Sequence, residues 1–369
     1  MRNHDAPDAL IGRAHPAELL RAQIARAADS HGGLVLVTGE AGIGKTALVS
    51  SVADEARRQA ALVLGGSCWD SDNAPGYWPW VQVVRGLRRA ATAQEWAAIA
   101  RDSADELAIL LGESAPTEQV DAFALHDAVT GALAAVARTR PVVVILDDLH
   151  WADPASLRLL EFAARHTWFE RVLLVGTYRD VEVEAADHTL APFILPLLGT
   201  ATVLTLTGLD RGEVAALIAR TVGTEPDADL VAEIHRRTGG NPFFVEQTAR
   251  LWQGSGTAGA IAPGVRDAVR RRLALLPDAV TDLLSDAAVL GKEFHRQVLA
   301  AAVSAPAAQV DRLLERATAA RLVLVRGDGV FAFAHDLVRE TLYDALDETT
   351  RRRGHAAAAR ALDRAPALA

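Results

Sequence analysis

Residues 34–37 form an unbroken apolar run, and Gly39-Glu40-Ala41-Gly42-Ile43-Gly44-Lys45-Thr46 follows almost at once with the spacing G-x-x-x-x-G-K-[ST]. A short β-branched run of this kind reads as a buried strand, and Thr46-Ala47-Leu48-Val49 opens a helix. Strand, glycine loop and helix in this order gather backbone N–H groups at the positive end of a helix dipole, which is a place for an anion. Lys45 is one of two lysines among 38 basic residues. A site that keeps lysine where arginine is the habit wants a compact ammonium on a flexible stem. By the mechanism of this motif, the loop and Ala47 contact phosphates, Lys45 reaches the outer ones, and the Thr46 hydroxyl ligates Mg²⁺.

Five short apolar runs, at residues 34–38, 61–64, 142–146, 172–175 and 203–206, alternate with stretches of helical spacing. The alternation predicts an α/β fold with a parallel five-stranded sheet covered by helices on both faces. A long stretch between the second and third runs holds Trp69, Tyr77, Trp78 and Trp80 and then two or three Ala-rich helices. Aromatics so placed could stack on a base or meet a partner, and packing anchors for the insertion are the favoured reading. A chain of 369 residues suits two or three domains. Its net charge of −9 offers no overall basic field for nucleic acid or for an acidic membrane surface. One cysteine, Cys68, excludes an intramolecular disulfide framework and fits a reducing cytoplasm. The polar start of the chain is unlike a signal peptide, and no later segment sustains the 18 or so apolar residues of a membrane span. A soluble protein is expected.

The third run ends in Asp147 and Asp148, at the end of the strand where an open α/β sheet binds its ligands. Two acids after a strand are commonplace, but paired with Lys45 and Thr46 they assign Asp147 to the metal and Asp148 to the attacking water. Asp153-Pro154 reads as a helix N-cap with proline at the first helical position. The fourth run leads into a strand over residues 173–179 that ends in Thr177-Tyr178-Arg179. On a P-loop sheet that strand lies beside the first, so Arg179 can report a terminal phosphate, the alternative being a salt bridge to Asp180 or Glu182.

Beyond Asp210 helical periodicity takes over. Asp210 and Glu213 stand at capping-box positions, Gly239-Gly240-Asn241-Pro242 is a firm break, and the glycine-rich stretch 254–259 reads as a linker. Helices near residues 278–290, 297–303 and 307–320 precede two short strands flanking Gly327-Asp328-Gly329, the order of a winged helix. A last helix is expected over residues 350–363. The expected boundaries are 1–208 for the P-loop domain, 209–275 for a helical lid, 276–346 for the winged helix and 347–369 for the start of a further helical region.

Nearly the whole chain resembles the STAND class of signal-transduction ATPases within the AAA+ group (ASCE-type P-loop NTPases), most of all large bacterial ATP-binding regulators related to the maltose-regulon activator. The resemblance rests on Ile11-Gly12-Arg13 with Glu18, the P-loop, Leu146-Asp147-Asp148-Leu149-His150-Trp151-Ala152-Asp153, Gly176-Thr177-Tyr178-Arg179, Gly240-Asn241-Pro242-Phe243-Phe244, and Phe333-Ala334-His335-Asp336-Leu337-Val338-Arg339. It implies that Ile11, Gly12 and Arg13 line an adenine, that Pro242 belongs to a lid motif closing over the base, and that His335 contacts the β-phosphate of ADP. The residues alone favour a core histidine that caps the following helix.

The resemblance further implies an ATP/ADP switch with slow Mg²⁺-dependent hydrolysis, self-association in the ATP state, and control by an inducer or protein partner. Relatives continue into helical repeats and a LuxR-type DNA-binding domain. The sequence here stops at Ala369, just where the first repeat helix would begin, so either a fragment or a stand-alone switch is expected, and DNA binding is not expected of this chain without an attached output domain. The rival readings are an origin-recognition type of AAA+ ATPase acting on DNA and a non-catalytic nucleotide-binding interaction module. The acidic charge speaks against the first, as does Asp148 where such enzymes usually place glutamate.

Overall fold

A computed structural model describes residues 10–69, 75–114, 121–183, 189–255, 263–320 and 322–364. The chain divides into two compact units, Met1–Thr207 and Gly208–Ala369.

The first unit runs α1 (Ala14–Ala28), β1 (Gly33–Thr38), α2 (Lys45–Arg58), β2 (Leu62–Ser67), α3 (Trp78–Ala90), α4 (Ala93–Leu111), α5 (Ala122–Ala137), β3 (Val142–Asp147), α6 (Pro154–His166), β4 (Val172–Tyr178), α7 (Asp180–Val183), α8 (Ala191–Leu198) and β5 (Thr202–Thr205). The five strands are parallel, in the order β2-β3-β4-β1-β5. Successive strand residues point to opposite faces, and both faces are buried. Val35, Val37, Val143 and Val175 pack with Leu20 of α1 and Leu48 and Val52 of α2. Leu36, Val144, Leu146 and Leu174 pack on the other face with Leu87, Leu133, Leu160 and Leu197 from α3, α5, α6 and α8. Two covered faces leave no solvent side to mark with polar residues, which is why these strands read as continuous apolar runs. β4 continues past the apolar run through Gly176, Thr177 and Tyr178, which pair with Leu36, Val37 and Thr38 of β1, and it stops one residue before Arg179.

The insertion between β2 and β3 anchors on its aromatics, as the packing reading expects for three of the four. Trp80 is wholly buried and donates from Nε1 to the Ser156 carbonyl (3.0 Å), while Tyr77 and Trp78 pack against the core. Trp69 stands 66% exposed and is no anchor.

The second unit is helical with one small sheet. Its elements are α9 (Arg211–Val222), α10 (Ala228–Thr238), α11 (Pro242–Ser255), α12 (Pro263–Leu273), α13 (Asp278–Leu290), β6 (Glu293–His295), α14 (Arg296–Val303), α15 (Ala307–Ala319), β7 (Val323–Gly327), β8 (Val330–Phe333), α16 (Asp336–Ala345) and α17 (Glu348–Arg364). The Asp210–Glu213 capping box forms in both directions at 2.8 Å. β7 and β8 make the expected hairpin, and β6 adds a third antiparallel strand in the order β6-β8-β7. One apolar cluster joins Phe244, Val269 and Leu273 to Leu284, Phe294, Leu314 and Phe333, so packing is continuous across the boundary expected near residue 275. α17 begins two residues earlier than expected, where the Asp347 carboxylate accepts from the Thr350 N–H (2.9 Å) and hydroxyl (2.8 Å). Most of the expected 254–259 linker lies outside the described residues.

Candidate functional site

The candidate site lies at the C-terminal edge of the parallel sheet, where β1, β3 and β4 end side by side. β1 passes into the glycine loop, and α2 starts at Lys45 behind Gly44, whose φ of +100° suits glycine. The N–H groups in the first turn of a helix have no partner within it, and here they face the loop. Lys45 is buried, its Nζ donating to the carbonyls of Gly39 (2.8 Å) and Glu40 (3.0 Å). These bonds curl the ammonium over the loop it belongs to.

Loop and third strand meet through a hydroxyl and a carboxylate. Thr46 Oγ1 donates to Asp147 Oδ2 at 3.0 Å, across 101 positions of sequence. The other oxygen, Oδ1, accepts from the Thr177 hydroxyl, and Thr177 Oγ1 in turn accepts from the Asp148 N–H at 3.0 Å. Thr177 therefore holds the Asp147 carboxylate and the Asp148 backbone, a role that sequence reasoning missed. The signal was available in register: Leu146 lies beside Gly176, so the following residues, Asp147 and Thr177, are neighbours.

Asp148 holds a left-handed backbone (φ +59°, ψ +48°) and starts a 3-10 turn, Leu149–Trp151. Its carboxylate lies 3.8 Å from Nδ1 of the buried His150. Asp153 is the N-cap of α6, accepting from the Ser156 N–H (2.9 Å) and hydroxyl (2.6 Å), and it also accepts from the Tyr77 N–H (3.2 Å). The capping reading of Asp153 holds. The acids leave a mark on Cys68, beyond the end of β2. Burial first, then Asp153, Asp148 and Asp147, push its thiol up from 9.0 to about 12.

Arg179 follows β4, which pairs with β1 as expected, and its guanidinium carbon lies 5.6 Å from the centre of the Trp151 ring. The Glu182 side chain of the alternative ion pair lies outside the described residues. Ile11 and Gly12 enter α1 by a turn, and the buried Arg13 donates to the carbonyls of Ile43 (2.9 Å) and Thr207 (3.0 Å). Arg13 thus braces the glycine loop against the segment leaving β5.

Pro242 and His335 belong to the second unit. Pro242 opens α11 behind the buried Asn241, whose Oδ1 accepts from the Phe243 N–H (3.2 Å). His335 precedes α16, is buried, and meets the Phe244 ring edge-on at 6.1 Å. The next residue, Asp336, pairs with Arg236 of α10 and with Lys292 Nζ at 2.8 Å. Lys292 is the second of the chain's two lysines. Its pKa is lowered, by burial first and then by the neighbouring Arg236.

The donor set suits Mg²⁺, which takes one or two carboxylate or hydroxyl oxygens and keeps the rest for water and phosphate. Thr46 and Asp147 offer such a pair. Among the described residues no group of three or more His, Cys, Asp or Glu could hold a metal ion.

A parallel sheet in the order β2-β3-β4-β1-β5, with a glycine loop after β1 and acids after β3, is the fold of an AAA+ P-loop NTPase. Residues 9–175 match the family model described as an AAA ATPase domain. An uncharacterized protein of Rhizobium meliloti is 29% identical over 355 residues, covering 85% of this chain and 33% of its own length. The chain thus spans about a third of that curated relative. Among solved structures, the Walker-type ATPase of Pyrococcus abyssi superposes with a TM-score of 0.61 at 15% identity, covering 93% of this chain and 98% of its own. The ORC2 protein of Aeropyrum pernix, in ADPNP–ADP complexes, gives 0.56 at 15% identity over 99% and 98%. At such identities these likenesses speak for the fold. Among the described residues no helix is long and apolar enough to cross a membrane.

Proposed function

We propose that this chain is the nucleotide-binding switch of a larger bacterial regulator of the STAND kind, cytoplasmic, monomeric with ADP and self-associating with ATP, and hydrolysing ATP slowly. The observation that carries the reading is the Thr46–Asp147–Thr177 chain of hydrogen bonds, which joins the glycine loop to both acids. Bound Mg·ATP supplies the phosphoanhydride to be broken and the charge that Mg²⁺ offsets. The chain's own residues do the rest. The glycine loop and the start of α2 hold the phosphates, and Lys45 neutralises charge on the outer ones. Thr46 and Asp147 hold the cation. Asp148 orients a water and accepts its proton, and Arg179 donates to the terminal phosphate. Ile11, Gly12 and Arg13 sit by the base. The resemblance assigns Pro242 to the motif that covers the base and His335 to the β-phosphate of ADP, the latter by a charge-assisted bond of about 1.5–3 kcal/mol.

A switch rather than a motor is favoured by aspartate at position 148 and by the net charge of −9, which gives no field for DNA. A nucleotide shifts the balance of two states only by its difference in affinity for them, and one bond of that size moves a population about tenfold to a hundredfold. Since the curated relative is about three times longer, the inducer-sensing and output parts of such a regulator are assigned to regions outside this chain.

The test is particle mass by light scattering with Mg·ADP and with a non-hydrolysable Mg·ATP analogue. The switch predicts a monomer with the first and a larger particle with the second. Equal masses overturn it, and a salt-sensitive shift of duplex DNA by the chain alone would move the reading to an origin-recognition type of enzyme.

A further inference from the structure

The turn after the acids carries two side chains to which the reading above gives no work, His150 and Trp151. Asp148 enters it in the left-handed region, which turns Leu149, His150 and Trp151 back across the end of the sheet. His150 is buried beside the Asp148 carboxylate and meets Trp151 edge-on at 5.3 Å, which steadies the indole from behind. Trp151 is 37% exposed, and Arg179 lies over its ring. β4 and β1 are in register up to Tyr178 and Thr38, so Arg179 leaves the sheet beside Gly39, the first residue of the glycine loop. The indole therefore meets the cation that leaves the sheet beside the start of the glycine loop.

A guanidinium held within cation–π reach of an indole is confined in position, which narrows the directions in which its N–H groups can meet phosphate oxygens. An arginine without such support has four torsions to order before it can donate in one direction. Lysine gains less from an aromatic face of this kind, and leucine offers none.

Resting on the proposed nucleotide site, we infer that Trp151 is the positioning residue for Arg179, and that the pair sets the preference for a nucleoside triphosphate over the diphosphate. The indole orders Arg179 toward the third phosphate and leaves contacts to the first two to the loop. It is the link through which the Asp148 turn and the arginine after β4 act together.

The test uses the whole chain in four forms, parent, Trp151→Leu, Trp151→Phe and Arg179→Ala, with the double variant Trp151→Leu/Arg179→Ala. Affinities for Mg·ADP and a non-hydrolysable Mg·ATP analogue are measured by titration, and kcat and KM where turnover is detected. Trp151→Leu is expected to weaken the triphosphate analogue and lower kcat by about two- to thirtyfold, the range of a cation–π contact, with ADP affinity within about twofold. Trp151→Phe should recover most of the loss. In the Arg179→Ala background Trp151→Leu should do nothing further. Equal weakening of both nucleotides, no effect in the parent background, or a further loss in the absence of Arg179 overturns the inference while leaving the nucleotide site standing. A parent chain that binds neither nucleotide overturns both.

Discussion

Two turns in this molecule depend on left-handed glycines, and they need them for different reasons. Gly44 begins α2 at φ +100°, and a methyl group there would meet nothing nearer than Arg13 Nε at 3.9 Å. Gly239 ends α10 at φ +59°, and a methyl group there would lie 2.4 Å from Nδ1 of the His335 ring. At Gly44 glycine shapes a backbone whose N–H groups are to face an anion. At Gly239 it lets a helix end close against a buried histidine. The first turn is built around something it will hold, and the second around something it already packs on.

Substitution should separate the two. Gly239→Ala combines left-handed strain with an overpacked contact and is expected to destabilise the second unit by about 2–4 kcal/mol, read by thermal or urea unfolding. Adding His335→Ala should recover part of this loss, because it removes the ring that the new methyl strikes. Strictly additive losses would break the packing account. Gly44→Ala carries the strain alone, about 1–2 kcal/mol, and should unfold close to the parent while binding Mg·ATP at least tenfold more weakly. A variant with parent-like affinity would show that the loop's backbone shape is not what holds phosphate.

A third effect, confined to alkaline pH, concerns the acids at the end of the sheet. Folding raises the Cys68 thiol from 9.0 to about 12, so the folded chain holds this proton more tightly than the unfolded one. Its contribution to stability is complete below pH 9 and is lost as pH rises toward 12. Between those limits the parent should lose stability faster than Cys68→Ala, and equal slopes would contradict the burial and charge assigned to this thiol.

β1, β3 and β4 were legible because each is covered on two faces and so is apolar along most of its length, and the P-loop because its chemistry is local. Asp147, Thr46 and Lys45 could be paired from motif and strand order. What escaped is what depends on neighbours distant in sequence. Thr177 is an ordinary strand residue until β4 lies beside β3 and brings its hydroxyl to both acids. β6 offers three residues, of which only Phe294 is buried, too short a pattern to stand out. Arg13 shows its grip on the Ile43 and Thr207 carbonyls only once β5 has returned the chain to the loop. Trp69 carries the same composition signal as Trp80, yet one is exposed and the other sealed under α6.

The most direct measurement is a calorimetric titration of Mg·ATP and Mg·ADP into the parent and into Lys45→Ala. The account predicts saturable binding of both nucleotides by the parent and none by the variant, with the fold of the variant intact by circular dichroism. Parent-like affinity in a folded Lys45→Ala protein would contradict it, and would remove the glycine loop from the centre of this molecule's function.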